Sequence, residues 1–361
     1  MSPKPSKARQ RAAEMSGELA YVEGPLAGYH HETYVIPLPD TVVGRPTAGS
    51  TPVRGKVREP RSNLLWFDRR CFASEEDLLH ALHGRIPGIP DLIEVAGMRL
   101  QRFVEGRTLG SLHASGRAIP DGIAAQILGL FRHMVGIAPE GLTVERQCAP
   151  HDRPDDGDTA GFLERLICFA EERVYQENLP RFPGLFASLG LDDDSFRRLR
   201  KHVAGLTERP FCLLHADLHR ENFVVDDEGR LWTIDWELAM IGDPLYDLAT
   251  HLHLMRYPSA QAALMVSRWR EVAEEERPGS SRGLEEDLPR LLDLKRAQSV
   301  FTDLVRATQT LDARPEFGER LLPQQATRVR RVLVAGAEPL GLDPVPSHED
   351  VMAVLGRLGE G

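Results

Sequence analysis

The sequence predicts an α+β fold in two lobes, the second of them mainly helical, and three observations lead there. At 361 residues the chain is long for one core, while its 42% hydrophobic content is ordinary for a globular protein. Apolar residues recur at three- and four-residue spacings over 159–177, 195–206 and 291–311, the period of a helix packed on one face. Between the second and third of these stretches, Phe223-Val224-Val225 and Leu231-Trp232-Thr233-Ile234 flank the turn Asp226-Asp227-Glu228-Gly229, which reads as a β-hairpin.

In chain order, residues 1–17 carry Lys4, Lys7, Arg9 and Arg11 among Pro, Ser and Ala and are expected to form a disordered tail. The first lobe is expected over 18–103, with a strand-loop-strand from Gly24 to Ile36. A Pro/Gly/Ser/Thr-rich stretch from Pro37 to Lys56 reads as an extended loop between two strands. Ser74 to Leu82 opens as a helix. Leu100 to Leu109, extended and broken by glycine, links this lobe to the second, expected over 104–361. There Phe211 to Leu214 reads as a buried strand that delivers His215 and Asp217 to a loop, and residues from Gly341 onward add a short helical segment.

Composition excludes several classes of function. No run reaches the roughly 18 apolar residues of a membrane span and none has the form of a signal peptide, so a cytoplasmic protein without a membrane partner is expected. There is no basic stripe with interleaved aromatics, which argues against a nucleic acid partner. Cys71, Cys148, Cys168 and Cys212 form no Cys-x-x-Cys pair and are expected to be buried free thiols. His251 and His253 lie two apart on a predicted helix, hence on different faces, and read as core packing rather than a metal pair.

All of the net charge of −10 falls after residue 105, where the balance is −11. Asp152, Asp155, Asp156 and Asp158 cluster in one segment, and Glu271, Glu274, Glu275, Glu276, Glu285, Glu286 and Asp287 in another. One reading is a field that attracts a cationic acceptor. The other is a set of solvated loops that keep the protein soluble.

The chemistry is concentrated in His215-Ala-Asp217-Leu-His-Arg-Glu-Asn222, followed by Ile234-Asp235-Trp236-Glu237. One carboxylate precedes an amide by five residues, and a second stands at the end of the next strand. This ordered set suits a kinase, which must hold magnesium and orient a hydroxyl toward the terminal phosphate of a nucleotide.

Together with Ile241-Gly242-Asp243-Pro244-Leu245-Tyr246-Asp247-Leu248-Ala249, these residues resemble the aminoglycoside phosphotransferases and their relatives, the choline, homoserine and methylthioribose kinases. That family has the protein-kinase-like fold, so the resemblance implies a small antiparallel-sheet N-terminal lobe beside a larger, mainly helical C-terminal lobe. It implies Asp217 as the catalytic base, Asn222 and Asp235 as oxygen ligands of Mg2+, and His215 as support for the loop through hydrogen bonding. Asp243 and Asp247 are read as helix cap and brace, or alternatively as substrate contacts.

In the first lobe the resemblance implies a phosphate-covering loop with Gly28, where His30 and His31 could donate to phosphate. The protein-kinase Gly-x-Gly-x-x-Gly pattern is missing from it. Arg58 stands where the family has a strand cation, with Lys56 on the same face as the alternative, and Glu75 or its neighbour Glu76 is the acidic partner. An arginine there grips phosphate differently from a lysine. Arg102, Phe103 and Val104 form the linker that would offer backbone groups to the base, with ATP expected and GTP left open. For the acceptor, the leading expectation is a hydroxyl of a small, amine-bearing molecule such as an aminoglycoside or another antibiotic. A Ser or Thr of a peptide is the second, and a nucleotide-binding subunit without chemistry the third.

Overall fold

The structure, a computed structural model, describes residues 6–16, 21–26, 28, 31–38, 53–61, 69–95, 97–313 and 318–358. Strands β1 (Glu23–Leu26), β2 (His31–Pro37), β3 (Arg54–Pro60), β4 (Leu92–Val95) and β5 (Met98–Arg102) form one antiparallel sheet in the order β1-β2-β3-β5-β4. Helix α1 (Lys7–Ser16) lies on β2 and β3, and α2 (Glu75–Leu82) packs near β4 and β5. Ser74 caps α2 by accepting from Asp77 N at 3.1 Å. The expected loop from Pro37 to Lys56 lies mostly outside the described residues, but the strands on its two sides are antiparallel neighbours.

The expected disordered tail is instead helical over Lys7–Ser16. Ala8 and Ala12, one turn apart, are buried against Tyr34, Ile36 and Val57, and Ser6 Oγ donates to Glu32 Oε1 at 2.6 Å. A face this narrow, made of two alanines, gives little hydrophobic periodicity to read, so the docking surface supplied by the sheet decides the outcome.

Phe103 N donates to Arg54 O at 2.7 Å, which ties the linker to the sheet. Four residues later, β6 (Arg107–Thr108) pairs with β8 (Phe223–Val225), which in turn pairs with β9 (Leu231–Thr233) as the predicted hairpin. Gly106 between them has φ of +143°, and a Cβ there would lie 2.4 Å from Val225 O, so only glycine fits this crossing. A third, two-stranded sheet joins β7 (Cys212–Leu214) to β10 (Met240–Gly242).

Helices make up the rest: α3 (Asp121–Val135), α4 (Thr159–Phe169), α5 (Asp193–His202), α6 (Pro244–Met255), α7 (Ser259–Glu276), α8 (Leu284–Asp312), α9 (Gly318–Ala335) and α10 (His348–Leu358). Their apolar faces close over one core that includes Phe131, Trp236, Trp269 and Phe301, each 1% exposed or less. Among the described residues no helix is long and apolar enough to cross a membrane. The four cysteines are free as expected, but only Cys212 is buried.

Candidate active site

Strand β7 ends in the loop that carries the motif, and α6 holds that loop in place. Asp243 caps α6 by accepting from Leu245 N at 2.8 Å, and Asp247, one turn in, accepts from His215 N at 3.1 Å and Ala216 N at 2.8 Å. Ala216 takes a φ of +62°, a conformation that costs a non-glycine residue energy and that the two Asp247 bonds help to stabilise. Burial pushes the Asp247 carboxyl up to about 6. Asp243 also receives Arg209 Nε at 2.8 Å, and Arg209 Nη1 reaches Asp287 at 2.7 Å, so a fully buried ion network anchors the base of the loop. Cap and brace is therefore the structural role of both aspartates.

The loop presents Asp217 and Asn222 to a cavity of about 940 Å³ between the first sheet and the helical lobe. Asn222 Nδ2 donates to Asp217 Oδ2 at 3.1 Å and to Asp217 O at 2.9 Å, which turns its Oδ1 away from that carboxylate. Asp235, at the end of β9 with φ of +66°, faces the same cavity, and burial followed by the nearby Glu75, Glu237 and Asp217 charges pushes its carboxyl up to about 7. A half-buried carboxylate among other carboxylates and an amide oxygen turned away from Asp217 form a hard-oxygen donor pair. They suit a magnesium ion that keeps other positions for water and phosphate. Among the described residues no group of three His, Cys, Asp or Glu is placed to hold a metal by itself.

His215 is fully buried and does not line the cavity; it meets Ile234 O through Nε2 at 3.1 Å and packs on Trp236 with ring centroids 4.6 Å apart. Burial takes its pKa down to about 4, so a neutral imidazole sits behind the loop rather than in the cavity. His219, which the sequence reading passed over although it lies inside the motif, sits with Nε2 3.4 Å from Asp217 Oδ2. Burial lowers its pKa, but the Asp217 carboxylate outweighs this and the net shift is upward.

On the sheet side, Lys56 and Arg58 both line the cavity, as strand alternation requires. The two cations that the sequence left as alternatives differ in their partners. Arg58 Nη1 pairs with Glu75 at 2.6 Å and Nη2 with Glu76 at 2.8 Å, so both candidate acids hold the same guanidinium. Lys56 has no hydrogen-bond or ion-pair partner among the described residues, and burial, then Arg58, lowers its pKa. His31 lines the cavity with Nδ1 3.3 Å from Glu237 Oε2, and Gly28 lines it as well, whereas His30 lies outside the described residues. Phe103 and Val104 edge the cavity, but the Arg102 side chain does not; it extends toward Asp91, 3.5 Å away.

The acidic clusters do not face this cavity. Asp158 caps α4, Asp156 accepts from Phe211 N at 2.6 Å, and Glu274 accepts from Gly279 N at 2.8 Å. Glu275 pairs with Arg132 at 2.6 Å, Glu285 with Arg270 at 2.8 Å, and Asp287 with Arg209. These carboxylates serve as caps and ion-pair partners and do not line the cavity.

The model of the APH phosphotransferase enzyme family matches residues 68–284. No curated protein matches the chain. Among solved structures, choline kinase LicA from Streptococcus pneumoniae is 17% identical, with 92% of this chain and 99% of that chain covered and a TM-score of 0.52. The ethanolamine kinase of Plasmodium vivax is 13% identical over 80% of this chain and 77% of its own, with a TM-score of 0.50. The gentamicin complex of APH(2")-IIa is 14% identical over 97% and 99%, also with a TM-score of 0.50.

Proposed function

The chain belongs to the phosphotransferase enzyme family and has the kinase-like fold, with an alcohol group as acceptor, and on that premise we propose an ATP-dependent O-phosphotransferase centred on Asp217. The observation that carries this reading is the Asn222 to Asp217 pair facing Asp235 across one cavity that Lys56 also enters. Asp217 accepts the proton of the acceptor hydroxyl as that oxygen bonds to the γ-phosphorus and the bond from γ-phosphorus to the β,γ-bridging oxygen breaks, with ADP as leaving group. His219 stands beside the Asp217 carboxylate and orients it. Asn222 and Asp235 would hold Mg2+, which when bound supplies charge neutralisation at the phosphates.

In the same reading Lys56 faces the phosphates and Arg58, held by Glu75 and Glu76, buttresses it; Gly28 and His31 belong to the phosphate cover. Phe103 and Val104 contribute backbone groups to the base edge, with ATP as donor and the cytoplasm as the place of action. The test is ADP release and phosphoryl transfer from labelled ATP across a panel of hydroxyl compounds, in wild type and Asp217→Asn. Transfer that depends on magnesium and on Asp217 supports the reading; transfer unchanged in Asp217→Asn would remove Asp217 as base.

A further inference from the structure

Two cavities meet along one face of α8. Lys295, Ser299, Thr302 and Arg306 line the catalytic cavity, and Gln309, the next residue on that face, lines a second cavity of about 870 Å³. The spacings of four, three, four and three residues keep all five on one stripe, about 21 Å long at the helical rise of about 1.5 Å per residue. The cavity walls also meet at an ion pair, because Glu237 of the first and Arg70 of the second lie 2.6 Å apart.

Cations predominate along this path, whereas carboxylates gather around Asp217 and Asp235. The stripe carries two cations and no carboxylate. Ser299 is set in place by accepting from His253 Nε2 at 2.9 Å while donating to Lys295 O at 2.9 Å. The second cavity is lined by Arg69, Arg70, Arg165, Arg173 and Arg181, against the carboxylates of Asp152, Glu172 and Glu177. Arg165 lies 3.3 Å from Asp152 and Arg173 pairs with Glu177, so the arginines are partly balanced but outnumber the acids. The carboxylates of the catalytic cavity cluster around Asp217 and Asp235, where a metal and nucleotide need them.

Resting on the phosphotransferase reading above, we propose that the acceptor is an extended acidic chain with the chemistry of an acidic peptide. Its hydroxyl meets Asp217, and its carboxylates follow the α8 stripe into the arginine-lined cavity. About six extended residues, at about 3.3 Å each, span the stripe. Guanidinium groups are matched to carboxylates through two parallel N–H bonds, which a small amine cannot use.

The test is direct binding, by fluorescence anisotropy without nucleotide, of two labelled decapeptides that share one serine and differ only in carrying glutamates or lysines on either side of it. Wild type should bind the acidic peptide roughly tenfold more tightly or better, with affinity falling as salt rises, and Arg173→Glu/Arg181→Glu should narrow or invert that ranking. Arg173→Gln/Arg181→Gln, which removes charge without adding any, serves where the reversal does not fold. Equal binding of the two peptides, or a ranking untouched in both double variants, would overturn the proposal. Asp217-dependent phosphorylation of kanamycin or choline without any peptide preference would also overturn it while leaving the phosphotransferase reading intact. Acidic-peptide binding by a protein that phosphorylates nothing would support the docking path and count against that reading.

Discussion

Glu75 Oε1 accepts from the backbone N–H of Trp236 at 2.9 Å, a bond that joins positions 161 residues apart and fixes α2 of the sheet lobe to the residue that follows Asp235. Its other oxygen pairs with Arg58 at 2.6 Å. One buried carboxylate therefore sets both the cation strand and the backbone beside the candidate metal ligand. Glu75→Ala leaves the half-buried Arg58 guanidinium with Glu76 as its remaining partner and the Trp236 N–H without an acceptor, at a cost of about 1–3 kcal/mol. Glu75→Gln keeps an acceptor for Trp236 and should destabilise less while still lowering turnover. Denaturant unfolding combined with ATP-dependent turnover separates the two. Equal stability in both variants would contradict the bridging role.

Asp217→Asn should bind nucleotide much as wild type does and lose about a hundredfold or more in turnover, the scale for a positioned base. Asn222 can still donate to the new amide oxygen, so the loop should keep its shape. Nucleotide affinity by calorimetry and turnover by ADP release check the separation. Turnover near wild type would assign the base elsewhere.

How far the sequence carried this reading depended on how local each feature is. Asp217, Asn222 and Asp235 were legible because a loop and a hairpin, both short-range structures, fix their spacing. Arg58 and Glu75 were legible through the resemblance, which implies a strand cation and a helix acid there, while Glu76 stayed open beside Glu75 and both acids meet Arg58 in the fold. Glu237 with Arg70, and Lys295 beside the cavity, were not, since 167 residues separate the first two and Lys295 comes from a helix far along the chain. The local partners of the acidic segments were hidden for the same reason. Arg132, Arg209 and Arg270 meet Glu275, Asp287 and Glu285 only in three dimensions, and a charge whose partner is unknown looks like a field.

Arg209 is a case where removal should be costly. Its guanidinium is fully buried between Asp243 and Asp287 and also donates to Arg282 O at 2.6 Å. Arg209→Ala would leave two buried carboxylates without their cation, an expected loss of about 3–5 kcal/mol. Because Asp243 caps α6, which braces the catalytic loop, turnover should fall as well. Urea unfolding measures the first effect, and a loss below about 1 kcal/mol would show that water or rearrangement satisfies both acids.

Gly106→Ala should strain the interlobe crossing, since φ is +143° and the added carbon would meet Val225 O at 2.4 Å. The linker must shift, and Phe103 and Val104 shift with it. The Michaelis constant for ATP should therefore rise more than turnover falls. Steady-state kinetics at varied ATP reads this split, and unchanged constants would mean that the crossing is not tied to the nucleotide edge.

Asp235 gives a pH signature that needs no assay of activity. Its carboxyl stands at about 7 in the metal-free fold, against the ordinary value of 3.8 in the unfolded chain. Between these values the native state binds more protons than the unfolded one, so this group's contribution to stability is fully present below about pH 4 and is lost as pH rises through about 7. Asp235→Asn, which cannot ionise, should match wild type near pH 4 and melt higher than metal-free wild type at pH 8. Magnesium supplied with a nucleotide analogue restores a counter-charge to the carboxylate, so it should raise the wild-type melting temperature at pH 8 and do little for the variant. Thermal melts at the two pH values, with and without magnesium and analogue, carry the whole comparison. A variant no more stable than wild type at pH 8, or one that gains as much from magnesium, would remove Asp235 as the metal ligand.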